Sequence, residues 1–157
     1  MGKVTPCLWF DTEGEEAANF YTALFKNSRI LDVSRYGDAG PRPAGMVMTV
    51  SFELDGQEFV ALNGGPEFQF NESVSFQIHC ETAAEVDHFW DALTEGGEPS
   101  QCGWLKDKYG VSWQVVPAAL PELLGDPDPK KAQAAMQAML TMGKIDIDAM
   151  RAAAAQA

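Results

Sequence analysis

Cysteine is scarce in this chain of 157 residues. Cys7, Cys80 and Cys102 are odd in number, far apart, and form no CxxC pair. That pattern excludes a disulfide framework and reads as three reduced thiols in a reducing, cytoplasmic compartment. Basic residues are also few. Eleven Lys and Arg face 23 Asp and Glu, for a formal net charge of −12, which excludes nucleic acid as a partner because phosphate backbones need clustered cations. No apolar run reaches the roughly 18 residues that a membrane span requires, so no membrane partner is expected. The start, Met1-Gly2-Lys3-Val4-Thr5-Pro6, has no apolar signal region. Histidine occurs only twice, as His79 and His88, which leaves little material for an imidazole-rich metal or acid–base centre.

What is present is an internal echo. Glu16-Ala17-Ala18-Asn19-Phe20-Tyr21-Thr22-Ala23-Leu24 lines up with Glu85-Val86-Asp87-His88-Phe89-Trp90-Asp91-Ala92-Leu93 at a constant offset. Around each copy the same order of elements can be read. Val4 to Phe10 is strand-like, and Thr12 to Phe25 shows helical spacing with Ala17, Phe20, Tyr21, Leu24 and Phe25 on one face. Ser28 to Tyr36 is again strand-like. Met46 to Leu54 and Gln57 to Asn63 form a hairpin at Asp55-Gly56. In the second copy, Val74 to Cys80 is a strand and Ala83 to Leu93 a helix. Two short strands follow within Pro99 to Lys106, and Ser112 to Val116 is the last. The fold class is therefore α+β: two βαβββ modules whose curved mixed sheets are expected to form a cup, plus C-terminal helices. Module one is placed at about 3–66, module two at about 72–118 and the helical tail at about 119–157, all in one domain. In the tail, Asp128 is the expected N-cap before Pro129, and Asp146 the cap of a final Ala-rich helix. Ala132, Met136, Met139 and Leu140 form an apolar stripe ended by Gly143. A Met stripe at that spacing is packing material, docked on the domain or on a second subunit.

Three segments carry a resemblance: Glu15-Glu16-Ala17-Ala18-Asn19-Phe20-Tyr21, Ala61-Leu62-Asn63-Gly64-Gly65-Pro66, and the long run from Cys102 to Pro117. With the paired modules they resemble the vicinal oxygen chelate superfamily of glyoxalase I, fosfomycin and bleomycin resistance proteins and extradiol dioxygenases. The similarity is strongest to its PhnB-like branch, which carries the label 3-demethylubiquinone-9 3-methyltransferase domain. The tail segment Met139 to Asp146 resembles that branch too. The resemblance implies a glyoxalase-like domain, a homodimer and a small-molecule ligand in the cup.

The resemblance also implies a divalent metal, held by His, Gln or Glu on the first and last strand of each module. Carried onto this chain, those positions fall near Val4 to Pro6, at Val60, at Ser75 and at Gln114. Only Gln114 could be a ligand, and a neutral amide alone does not hold a divalent ion. We therefore expect no metal and no other cofactor. By strand alternation Ser75, Gln77 and His79 share one face, as do Ser112, Gln114 and Val116, with Trp113 and Val115 turned the other way. The expected ligand-binding residues are Trp9, Met48, Asn63, Ser75, Gln77, His79, Trp104, Ser112 and Gln114, with Met46 as further apolar wall. Such a mixture suits a small, partly polar organic molecule.

Catalytic candidates are His79, Gln114 and Cys102. His79 reads either as a base or as a strand-end histidine bonded to backbone. Cys102 reads either as a nucleophile or as a buried structural thiol. His88, between Asp87 and Asp91, reads as solvated. A methyltransferase mechanism finds no glycine-rich turn after the first strand, where Asp11-Thr12-Glu13-Gly14 stands instead. The leading function is small-molecule binding by a metal-free PhnB-like protein. The alternatives are an enzyme of the glyoxalase, dioxygenase or thiol-transferase type with a degenerate metal site, a methyltransferase, and a cup filled by its own side chains.

Overall fold

The computed structural model describes residues 2–157. Two compact units divide the chain, one ending at Phe70 and the other spanning Asn71–Ala157. The first contains β1 (Cys7–Phe10), α1 (Gly14–Leu24), β2 (Arg29–Arg35), β3 (Val47–Leu54) and β4 (Gln57–Asn63). Its sheet has the order β1-β4-β3-β2, with β1 parallel to β4 and the other pairs antiparallel. Alternation along β3 and β4 sends Val50, Phe52, Phe59 and Ala61 into the core, where Ala17, Ala18 and Tyr21 of α1 are also buried. Asp55 and Gly56 both take positive φ in the β3–β4 turn, the primed geometry that matches strand twist. β1 starts at Cys7 and not at Val4, which is exposed. Pro6 has no N–H to give the ladder, although its carbonyl accepts from Val60 N at 2.9 Å.

The second unit repeats the plan with β5 (Ser75–Cys80), α2 (Ala83–Thr94), β6 (Glu98–Pro99), β7 (Trp104–Lys106) and β8 (Ser112–Pro117). The sheet order is β5-β8-β7-β6, and β5 runs parallel to β8. Thr82 caps α2 by accepting from Glu85 N, and Glu85 Oε1 in return takes Glu81 N, close to a capping box. Val86, Phe89 and Leu93 of α2 are buried, as are Ile78, Leu105, Trp113 and Val115 of the sheet.

Three helices follow: α3 (Leu120–Leu124), α4 (Pro129–Met139) and α5 (Ile147–Ala155). α3 was not expected from the sequence, although Pro121 in its first turn is a helix-start signal. Both expected caps form, with Asp128 accepting from Lys130 N and Asp146 from Ala149 N. The apolar stripe of α4 is corrected. Ala135 is fully buried with Ile145 and Met150, and Leu123, Ala138, Met139 and Met142 pack on them. Met136 and Leu140 are instead 39% and 56% exposed, because the buried face centres on Ala135 and lets α4 and α5 approach closely. Asp146→Ala removes one such cap and is expected to cost about 1 kcal/mol, read as a lower urea midpoint at unchanged slope.

Candidate functional site

The face of the second sheet turned away from the buried Trp113 and Val115 is built by register. Ser75 lies opposite Ser112 and Gln77 opposite Gln114 across the parallel β5–β8 pair. On the other side of β8, Lys106 lies opposite Ser112 and Trp104 opposite Gln114. Alternation therefore brings Ser75, Gln77, Trp104, Lys106, Ser112 and Gln114 onto one face. His79 shares it, opposite Val116.

Asp107 holds that register. It is 3% exposed, and its Oδ1 accepts from the N–H groups of Tyr109 and Val111 at 2.9 and 3.0 Å. Its Oδ2 accepts from Trp113 Nε1 at 2.9 Å. One buried carboxylate thus closes the β7–β8 turn and ties it to the indole near the start of β8.

A hydrogen-bonded chain crosses the face. Gln77 Nε2 donates to Gln114 Oε1 at 3.4 Å, and Gln114 Nε2 donates to Ser75 Oγ at 2.8 Å. Ser75 keeps its hydroxyl proton for a further acceptor. Beside this chain a cavity of about 120 Å³ is lined by Glu72, Glu98, Pro99, Ser100, Trp104, Leu105, Lys106 and Ser112. Lys106 Nζ stands 3.1 Å from Glu72 Oε1. The hydrogen bond from that ammonium holds the Glu72 carboxyl below the usual carboxylate range. Ser112 Oγ is the one buried side-chain polar atom without a partner among the described residues.

A larger cavity of about 390 Å³ lies between α2 and α5. Several of its polar groups are already engaged: Lys144 bonds Asp87 at 2.5 Å, and Asp146 and Thr82 are helix caps. The smaller cavity is the better site because a buried hydroxyl there still lacks its bond.

Several expected site residues stand elsewhere or do other work. Asn63 is 2% exposed, accepts from Gly14 N at 2.8 Å and donates to Val47 O at 3.1 Å. It caps α1 from β4, where Glu13 makes no side-chain cap, so it is a structural clip. Trp9 donates from Nε1 to Gly65 O at 2.8 Å and meets Phe68 edge-on at 4.9 Å. Met48 falls where the β2–β3 register steps from Ser34↔Thr49 to Arg35↔Val47, so simple alternation does not fix its face. His79 is exposed, and among the described residues its imidazole has no bond to backbone, contrary to the strand-end reading. Cys102 has φ of 58° and donates from Sγ to Met139 O at 3.7 Å. Its N–H reaches Met142 O at 2.9 Å, so it anchors the tail. Burial raises the Cys7 thiol and, with help from Glu85, pushes that of Cys80 up to about 11, which leaves both protonated and unreactive near neutrality. Lys106 and Glu72 were missed as site residues; the alternation of Trp104 with Lys106 was the available signal.

Residues 2–116 match the family described as 3-demethylubiquinone-9 3-methyltransferase. The chain belongs to that family. This PhnB-like member of the vicinal oxygen chelate superfamily is 39% identical to the PhnB protein of Bacillus cereus, with 74% of this chain and 100% of that one covered and a TM-score of 0.69. The protein PA1353 of Pseudomonas aeruginosa is 21% identical over 74% of this chain and 98% of its own, at a TM-score of 0.61. The fosfomycin resistance protein FosX of Listeria monocytogenes is 13% identical over 77% and 94%, at 0.55. These two show the shared fold alone. Among curated proteins, none matches. The family match ends short of the helical tail.

The divalent metal typical of the superfamily does not fit the residues of this PhnB-like chain. Among the described residues no group of three or more His, Cys, Asp and Glu converges. The inherited ligand positions hold Val60, Ser75 and Gln114, and the Gln114 carbonyl is already bonded to Gln77. Hard cations need several carboxylate or carbonyl oxygens, and transition metals need imidazole or thiolate. No helix is long and apolar enough to cross a membrane among the described residues.

Proposed function

We propose that this PhnB-like protein binds a small, partly polar organic molecule on the β5–β8–β7 face, gripping it with hydrogen bonds and not through a metal ion. The observation that carries this reading is the chain Gln77–Gln114–Ser75, whose spare N–H and O–H groups face away from the core beside the apolar surface of Trp104. A few placed polar groups against an aromatic wall are what a small-molecule site needs. Binding is favoured over catalysis because neither catalytic candidate is poised for chemistry: no side-chain bond orients His79 among the described residues, and the Cys102 thiol is spent on the tail. The family description names a methyltransferase, but β1 is followed by Asp11-Thr12-Glu13-Gly14 and neither sheet is doubly wound. We further propose a cytosolic homodimer, a reading supported by three free thiols and by the exposed Met136 and Leu140.

A fragment library of small organic molecules, followed through backbone amide shifts, tests the site. Hits are expected to move Gln77, Gln114 and Trp104. Gln114→Ala is expected to weaken them by roughly fivefold to tenfold, the worth of about one hydrogen bond, with the fold retained. Chelator treatment and added Mn²⁺ or Zn²⁺ are expected to change nothing. Stoichiometric metal bound through Gln114 and His79 would overturn the reading.

A further inference from the structure

Resting on that reading, we infer that the cavity beside Ser112 takes the carboxylate of a small organic acid, and that Glu72 is the chain's own competitor for the place. The inference starts from register. With β7 and β5 on either side of β8, Lys106, Ser112 and Ser75 form one row across three strands, at the strand spacing of about 4.8 Å. Each can donate a hydrogen bond. Ser75 accepts from Gln114 on one lone pair and keeps its proton free. Ser112 has its whole hydroxyl unspent, at 1% exposure. Lys106 has three N–H groups and gives one to Glu72. A row of donors with a buried, unsatisfied member asks for an acceptor with more than one oxygen.

Glu72 shows which acceptor. Its carboxylate is the oxyanion that Lys106 now holds, yet the Glu72 side chain is 62% exposed and that of Lys106 only 33%. Exchanging an exposed partner is cheap, because surface ion pairs contribute little. An incoming carboxylate would meet both Lys106 and Ser112, while Glu72 is released to water. The second carboxylate lining the cavity, Glu98, opposes a doubly charged phosphate and leaves a monoanion as the fitting head group. The net charge of −12 is no obstacle at this range, since salt screens exposed charges beyond about 8 Å at physiological ionic strength. A volume of about 120 Å³ suits a head group, with the organic remainder held along Trp104 and Gln114.

The test titrates the full chain with propionate, its neutral isostere propionamide, and inorganic phosphate, reading amide shifts at Ser75, Lys106 and Ser112. Propionate is expected to saturate, and propionamide to bind at least roughly tenfold more weakly, as loss of a charge-assisted bond implies. Lys106→Met is expected to cost a similar factor, and Ser112→Ala a smaller one. Glu72→Gln is expected to tighten propionate several-fold, an outcome that no merely structural role for Glu72 would give. Because Glu72 is exposed, that variant keeps the test decisive even where Lys106→Met or Ser112→Ala fails to fold. Equal binding of acid and amide, preference for phosphate, or unchanged affinity in Glu72→Gln each overturns the inference. Neutral fragments that still bind at Gln114 in that case leave the proposed function standing. No binding by any probe to this face sinks both.

Discussion

Asp107→Ala is expected to be among the most damaging single substitutions in the protein, at about 4 kcal/mol of unfolding free energy. Three donors lose their acceptor at once: the N–H groups of Tyr109 and Val111 and the indole N–H of Trp113. The bonds of Val111 and Trp113 are buried and that of Tyr109 partly so; a buried donor left without a partner costs about 1–3 kcal/mol, and water entering the opened turn offsets part of that sum. Asp107→Asn separates the contributions. It keeps one carbonyl oxygen for the backbone pair but turns an NH₂ group toward Trp113, donor against donor, so about half the loss is expected. Equilibrium urea unfolding decides the matter. A cost below about 1 kcal/mol for the alanine variant would show that Asp107 does not hold the turn. The same variant is also expected to weaken the proposed ligand binding, because the register that sets Lys106 opposite Ser112 depends on this turn.

Gly103→Ala is the second large effect, expected at about 3 kcal/mol. Gly103 has φ of 84°, and a Cβ there would lie 2.7 Å from Val115 O and 2.9 Å from Ile145 Cδ1. The left-handed conformation alone costs about 1 kcal/mol for a residue with a Cβ. The remainder comes from pushing on backbone that cannot give. Val115 N is bonded to Gly103 O, and Gly103 N to Gly143 O, both at 2.8 Å, so any shift loosens the tail. Hydrogen exchange in α5 is expected to rise before exchange in β8. Gly45→Ala is the control, since its φ is 87° with nothing within 4 Å of a new Cβ. It carries the strain without the clash. Equal losses in the two variants would mean that the packing against Val115 and Ile145 is soft.

The parts of the fold legible in the sequence are those with local causes. Apolar alternation, the Asp55-Gly56 turn and the caps Asp128 and Asp146 each act within a few residues, and all appear at or near their expected places. What a short window does not show falls where distant segments decide. Asn63 looked like a ligand at a strand end, but the orphan N–H of Gly14 at the start of α1 claims it. Cys102 read either as a nucleophile or as a structural thiol, and the tail favours the second, with Met139 and Met142 carbonyls accepting from its Sγ and N–H. Met136 and Leu140 belonged by periodicity to the apolar stripe of α4, yet small Ala135 centres the contact and leaves both outside. The site was half legible. Alternation put Ser75, Gln77, Ser112 and Gln114 together, as the register shows. The pairing of Lys106 with Glu72 required knowing how β7 lies against β8, which no short window of sequence contains.

β8 serves two purposes on alternate residues. Trp113 and Val115 are locked into the core, while Ser112 and Gln114 belong to the opposite face, where we propose the ligand sits. Such a strand lets one face change at less risk to the core, at half-buried Gln114 more freely than at buried Ser112. A lineage can exchange the residues of one face, one at a time, and try new ligands on an unchanged scaffold. Diversity of function within a shared architecture is then a consequence of the two-residue period of a single strand.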